Sequence, residues 1–97
     1  MAQVVLVVKF TSELSLDEVM EIARSRADEF RALEGLEQKY YFRDTATGQI
    51  GGLYIWKTPE DLAAYRKSEL RKTIAAAYKT VGEPDLQVLE VLMPLRD

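Results

Sequence analysis

Five side chains in the middle of this sequence have the types to do chemistry: Lys39, Tyr41, Tyr54, Trp56 and Tyr65. A lysine brings a positive charge, a tyrosine a hydroxyl that donates a hydrogen bond or passes a proton, and a tryptophan a flat apolar wall. Six of the nine aromatic residues fall between Tyr40 and Tyr65. The stretch 35–70 that carries them reads as two strand-like runs around a short turn, followed at once by a helix start. It forms the centre of a small α+β domain with a ligand pocket. Glu90 is a further candidate, an acid in an otherwise apolar run. Burial would raise its pKa and make it a base; an ion pair at an interface is the favoured alternative.

The elements that must position these residues begin with a hairpin of strands 36–44 and 49–57. Asp44 can start an Asx-type turn through Thr45, Ala46 and Thr47, and Gly48 can take the positive φ that closes it. Pairing Asp44 with Gln49 sets Lys39 opposite Tyr54 and Tyr41 opposite Gly52. One sheet face then carries Lys39, Tyr41, Arg43, Tyr54 and Trp56, and the other Leu36, Tyr40, Phe42, Leu53 and Ile55. Lys39 and Arg43 have Glu37, Asp44 and Glu90 as candidate ion-pair partners. Gly51-Gly52 interrupts a strand that should favour β-branched residues. A bulge, or a covering aromatic such as Tyr41, explains it structurally; close approach of a ligand or a second backbone explains it functionally.

Around the hairpin the chain reads as strand 3–10, apolar on both faces, then a helix opened by the capping box Ser15-Leu-Asp-Glu18. Its apolar stripe is Leu16, Val19, Met20, Ala23, Ala27, Phe30 and Leu33, and Gly35 suits the left-handed position beyond it. Thr58-Pro-Glu-Asp61 starts a second helix, with Leu62, Ala63 and Tyr65 inward. Ser68 begins a separate segment carrying Leu70, Ile74, Ala77 and Tyr78, which Gly82-Glu-Pro84 ends. A last strand spans 85–93. The order β-α-β-β-α-β is the ferredoxin-like arrangement, an antiparallel sheet with helices on one face. Since two strands are apolar on both faces, the uncovered face is expected to pack on the sheet of a second copy.

Length and composition narrow the functions. Ninety-seven residues are expected to form one domain, 1–97, with a core small enough that association is a common remedy. There is no cysteine and no histidine. Disulfides, thiolate metal sites, the usual haem ligand and the usual neutral-pH general base are therefore missing, and no cofactor is expected. A net charge of −3 leaves no footprint for nucleic acid or an anionic membrane. The apolar run 4–8 is too short to span a bilayer and ends at Lys9, so the expected location is the cytoplasm.

The residues Gly35-Leu36, Lys39-Tyr40-Tyr41, Thr47-Gly48, Gly51-Gly52-Leu53-Tyr54-Ile55-Trp56, Leu62 and Tyr65 together resemble the YdhR-like mono-oxygenase family. This family belongs to the dimeric α+β barrels, with the antibiotic-biosynthesis monooxygenases. The resemblance implies a homodimer closing two sheets into a barrel, with a pocket between sheet and helices in each subunit. It further implies a small monooxygenase, without a required cofactor, acting on an aromatic or polyketide-like molecule. Lys39 would then supply positive charge to a phenol anion, and Tyr65 or Tyr54 would donate to a developing oxyanion or relay a proton. Trp56, Tyr54 and Tyr41 would line the substrate. In many superfamily members a histidine stands where this chain has Tyr65, and in the antibiotic monooxygenases an asparagine often stands where it has Gly52. The scaffold also hosts cyclases, isomerases and non-catalytic ligand-binding dimers, which remain the competing functions.

Overall fold

Val4, Leu6, Val8 and Phe10 alternate along the first strand with Val5, Val7 and Lys9, and this alternation decides which side of the sheet becomes the core. In the computed structural model, which describes residues 3–96, the strand is β1 (Val4–Ser12). Met1, Ala2 and Asp97 of the expected 1–97 domain lie outside the described residues. The remaining elements are α1 (Leu16–Arg31), β2 (Leu36–Arg43), β3 (Ile50–Trp56), α2 (Pro59–Arg66), α3 (Glu69–Lys72), α4 (Ile74–Tyr78) and β4 (Thr80–Glu90). The four strands form one antiparallel sheet in the order β2-β3-β1-β4. This is the ferredoxin-like α+β fold, with the second helical stretch broken in three. No helix among the described residues is long and apolar enough to cross a membrane.

The local signals act where the sequence puts them. Ser15 and Glu18 form the reciprocal capping box, and Thr58 caps α2 with Pro59 in its first turn. Ser68 caps α3 through the Arg71 amide, which divides the helical stretch. Asp44 accepts from the Ala46 amide at 2.9 Å and Gly48 closes the turn at φ 79°. The Asp44 amide then donates to the Gln49 carbonyl at 2.8 Å, so the hairpin register is the expected one.

Three expectations are corrected. Leu36 lies on the helix side, opposite Trp56, because the ladder shifts between Leu36 and Gln38. That bulge turns Leu36 into the core, where it packs against the buried cluster. Gly82-Glu-Pro84 does not end the last helix. Lys79 ends it in the left-handed conformation at φ 48°, and β4 has already begun at Thr80. Gly82 (φ 72°) and Pro84, which has no N–H to donate, instead sit where β1 and β4 lose register between Lys9 and Thr11. Leu16, placed on the buried stripe of α1, is 41% exposed.

On the helix side, Val4, Leu6, Phe30, Tyr54, Trp56, Leu62 and Tyr65 form the main buried cluster, and Phe10, Val19 and Tyr78 a second. The opposite face carries Val5, Val7, Leu53, Ile55 and Phe42, all half-buried, with Tyr40 and Leu89 exposed. Gly51 is required on this side. A Cβ there would run into the Val8 carbonyl oxygen and lie 2.6 Å from Cζ of Phe42, whose ring covers the gap. The covering aromatic is thus Phe42 and not Tyr41. Gly51→Ala is expected to lower unfolding stability by about 1–3 kcal/mol in a urea titration, the usual cost of an overpacked site.

Candidate functional site

The register that places Lys39 opposite Tyr54, and Tyr54 opposite Leu6, sets a lysine directly above the aromatic part of the core. Lys39 Nζ lies 3.5 Å from the centre of the Phe30 ring, 4.3 Å from that of Tyr41 and 4.4 Å from that of Tyr54. One helix and two strands thus each contribute a π face to a single ammonium group. None of the ion pairs among the described residues includes Lys39. The expected partner Asp44 is taken by Lys9 at 2.8 Å, which helps hold its carboxyl down at about 2. Glu90 is exposed on β4, so the burial that would have made it a base does not occur in this chain.

Burial, followed by repulsion from the Arg26 guanidinium, lowers the Lys39 pKa from its ordinary value to about 7. Arg26 is itself fixed at the junction of α1, α3 and α4. It donates to Thr73 Oγ1 at 2.6 Å and to the Leu70 carbonyl at 3.4 Å, and its buried Nε has no hydrogen-bond partner. Neither cation takes part in an ion pair among the described residues.

Behind Lys39 the aromatic side chains are stacked in depth. Tyr54 and Trp56 lie parallel with their centroids 6.3 Å apart, and Tyr65 packs on both at 5.5 and 5.1 Å. The Tyr65 hydroxyl donates to the Tyr54 hydroxyl over 3.4 Å, a long contact for two oxygens. Burial raises the pKa of both phenols. It pushes Tyr78 up to about 12. At neutral pH these hydroxyls are donors, and Lys39 is the group of the cluster that can exchange a proton.

Gly52 makes the space. A Cβ there would lie 3.1 Å from Cε of Lys39 and 3.0 Å from Cε1 of Tyr54, so the glycine leaves room for the lysine stem. An apolar cavity of about 20 Å³ adjoins it, lined by Lys39, Tyr41, Gly51, Gly52, Tyr54 and Tyr78 among others. Lys39 and Tyr41 also line an open groove of about 310 Å³ between α1 and β2, with Phe30, Arg31 and Glu37. A third cavity, about 70 Å³, runs along Leu6, Val8, Phe10, Tyr65 and Ile74 with Arg66 and Arg71 beside it. Among the described residues no group of three or more acidic, cysteine or histidine side chains is placed to hold a metal ion.

Of the five residues singled out from sequence, Lys39, Tyr41 and Tyr54 meet at one point and Tyr65 reaches it through Tyr54. Trp56 is 0% exposed and borders none of these three cavities; it backs the ring of Tyr54. Sequence reasoning assigned Phe30 to packing alone and gave Arg26 no role. Their helical spacing carries no sign of which strand α1 crosses.

The family model described as "Putative mono-oxygenase ydhR" matches residues 5–95. No curated protein matches the chain. Among solved structures, the fold is similar to SnoaB, a cofactor-independent oxygenase from Streptomyces nogalater, at TM-score 0.78 and 13% identity over 100% of both chains. A protein from Caulobacter crescentus described as a "putative antibiotic biosynthesis monooxygenase" matches at TM-score 0.78 and 14% identity, over 95% of this chain and 92% of that one. A dimeric ferredoxin-like protein from Thermobifida fusca matches at 0.72 and 9%, over 93% and 92%. At these identities the likeness is one of fold.

The proton bookkeeping at Lys39 is measurable. The unfolded chain keeps that proton up to the ordinary lysine value, whereas the folded chain releases it near 7, so stability rises with pH between the two. Lys39→Met should raise the melting temperature at pH 6, where it removes an unpaired buried charge. It should also flatten the rise between pH 7 and 9. Identical pH slopes in the two proteins would show that the ammonium is not desolvated.

Proposed function

The chain belongs to the ydhR mono-oxygenase family, and from that premise we propose that it is a small monooxygenase. It would work without a bound cofactor on an aromatic or polyketide-like molecule with an acidic phenol or ring C–H. The observation that carries this reading is the unpaired Lys39 amine, caged by three aromatic rings beside a space opened by Gly52. A pKa of about 7 leaves much of this amine neutral at physiological pH, close to the optimum for a general base.

The substrate ring stacks on Tyr41 in the groove between α1 and β2, and Lys39 Nζ takes its acidic proton. The resulting ammonium stays beside the substrate anion in a site of low dielectric, where the attraction is strong. Tyr54 donates to the developing oxyanion, and Tyr65 positions Tyr54 by donating to it. Trp56 holds the Tyr54 ring from behind. The anion is the species that gives an electron to dioxygen. Recombination with superoxide gives a peroxide anion that takes the proton back from Lys39, and loss of water from this hydroperoxide leaves the carbonyl product, with one oxygen atom in the product and one in water. The same base would serve a cyclase or an isomerase, which would consume no oxygen.

The functional unit in this proposal is a cytoplasmic homodimer, with the uncovered sheet face against that of a second copy. Val5, Val7, Leu53, Ile55 and Leu89 form a continuous apolar area there. That arrangement suits a chain too short for a large core of its own. Ile55→Arg should convert the dimer to a monomer in analytical ultracentrifugation; an unchanged mass would place any interface elsewhere.

For the reaction, dihydroxyaromatic and anthrone-like compounds should give enzyme-dependent oxygen uptake with no added cofactor. The rate should rise with pH through about 7. Lys39→Met should lower kcat/KM by about 10²-fold or more, the usual worth of a general base. Tyr65→Phe, acting through Tyr54, should cost about tenfold or less. Product formation without oxygen uptake would point to the cyclase or isomerase chemistry, and uptake unaffected by Lys39→Met would remove Lys39 from the mechanism.

A further inference from the structure

We propose that Lys39 is also a carbonyl-reactive amine, forming an imine with aromatic aldehydes that enter by the groove between α1 and β2. The proposal shares Lys39 with the monooxygenase reading but requires neither dioxygen nor turnover.

Three observations converge on it. Lys39 Nζ has no carboxylate partner among the described residues and rests on the faces of Phe30, Tyr41 and Tyr54. It borders an open groove of about 310 Å³ between α1 and β2, so a flat electrophile can reach it from solvent. Arg26, anchored on Thr73 and Leu70, repels the ammonium form from the helix side. A lysine desolvated in an apolar pocket next to a second cation is the arrangement that activates an amine toward carbonyls. A lysine serving only to cover the core would have been better placed against an acid. The other polar groups around it are Arg31 from α1, Glu37 and Tyr41 from β2, Tyr54 from β3 and Tyr78 from α4. None of these is an acid in ion-pair contact with Nζ.

The step balances without any oxidant. The Nζ lone pair attacks the carbonyl carbon, a C–N bond forms, and the oxygen takes a proton. The carbinolamine oxygen takes a second proton, supplied from solvent, and leaves as water, giving the protonated imine. Tyr54, kept protonated by burial with its ring 4.4 Å from Nζ, is the hydroxyl donor assigned to the departing oxygen.

The test is reductive trapping of the folded chain with 4-hydroxybenzaldehyde and sodium cyanoborohydride at pH 7, read by intact mass and peptide mapping. The expected result is a single adduct at Lys39. It should form at least about tenfold faster than at Lys9, Lys57, Lys67, Lys72 or Lys79. Lys39→Arg should abolish that adduct while the circular dichroism spectrum stays native. Arg26→Gln should move the midpoint of the labelling pH profile upward; an unchanged midpoint would overturn the role given to Arg26. Labelling spread over the surface lysines, with Lys39 no faster than the rest, would overturn the proposal. An adduct at Lys39 with no oxygen uptake on any phenol would leave this inference standing and sink the monooxygenase reading. Oxygen uptake without an adduct would do the reverse.

Discussion

The desolvation of one ammonium group is the constraint on which the rest of the site depends. Taking a lysine charge out of water costs several kcal/mol, and each aromatic face returns about 0.5–2 kcal/mol. Three faces at 3.5 to 4.4 Å therefore come near to supporting the charge, but not fully. Burial first, and then the Arg26 charge, lowers the Lys39 pKa to about 7. An acid in place of any of the three rings would have restored an ordinary lysine. The composition of the cage, more than its shape, sets the proton affinity.

That cage needs backbone support from two sides. On the helix side Gly52 gives the Lys39 stem somewhere to lie, and on the opposite side Gly51 lets Phe42 close over the strand. The two glycines thus serve different faces of the sheet, and a single β-branched residue at either position would disturb a different layer. Tyr54, between the lysine above and Trp56 and Tyr65 below, is held by contacts on both sides. Its hydroxyl is consequently an oriented donor instead of a free rotor, the condition for useful electrostatic preorganisation.

The helical side of the molecule is built from short pieces, and this has a consequence for the site. Breaks at Ser68 and Thr73 interrupt what could have been one long helix, and Thr73, at the start of α4, meets Arg26 of α1. The guanidinium is thereby held on Thr73 and the Leu70 carbonyl. A continuous helix after Tyr65 would carry residues 68–78 along one straight axis and would not turn Thr73 back to Arg26.

Sequence by itself determined the elements and the hairpin register, because both rest on local chemistry. The Ser15 and Thr58 caps, the Asp44–Gly48 turn and the two-residue alternation of the strands act within a few residues of where they are written. They suffice to put Lys39 opposite Tyr54 and to give the ferredoxin-like order. Two boundaries escaped, at Leu36 and at Gly82–Pro84, since a bulge is a compromise between strands that no single segment records. Tertiary structure alone decided that Phe30 of α1 faces Lys39, that Arg26 of α1 meets Thr73, that Lys9 takes Asp44, and that Trp56 backs the site without lining its cavities. These are distances between residues far apart in the chain. The energy that selects them comes from burying whole faces against one another, a non-directional force that leaves no motif in the sequence.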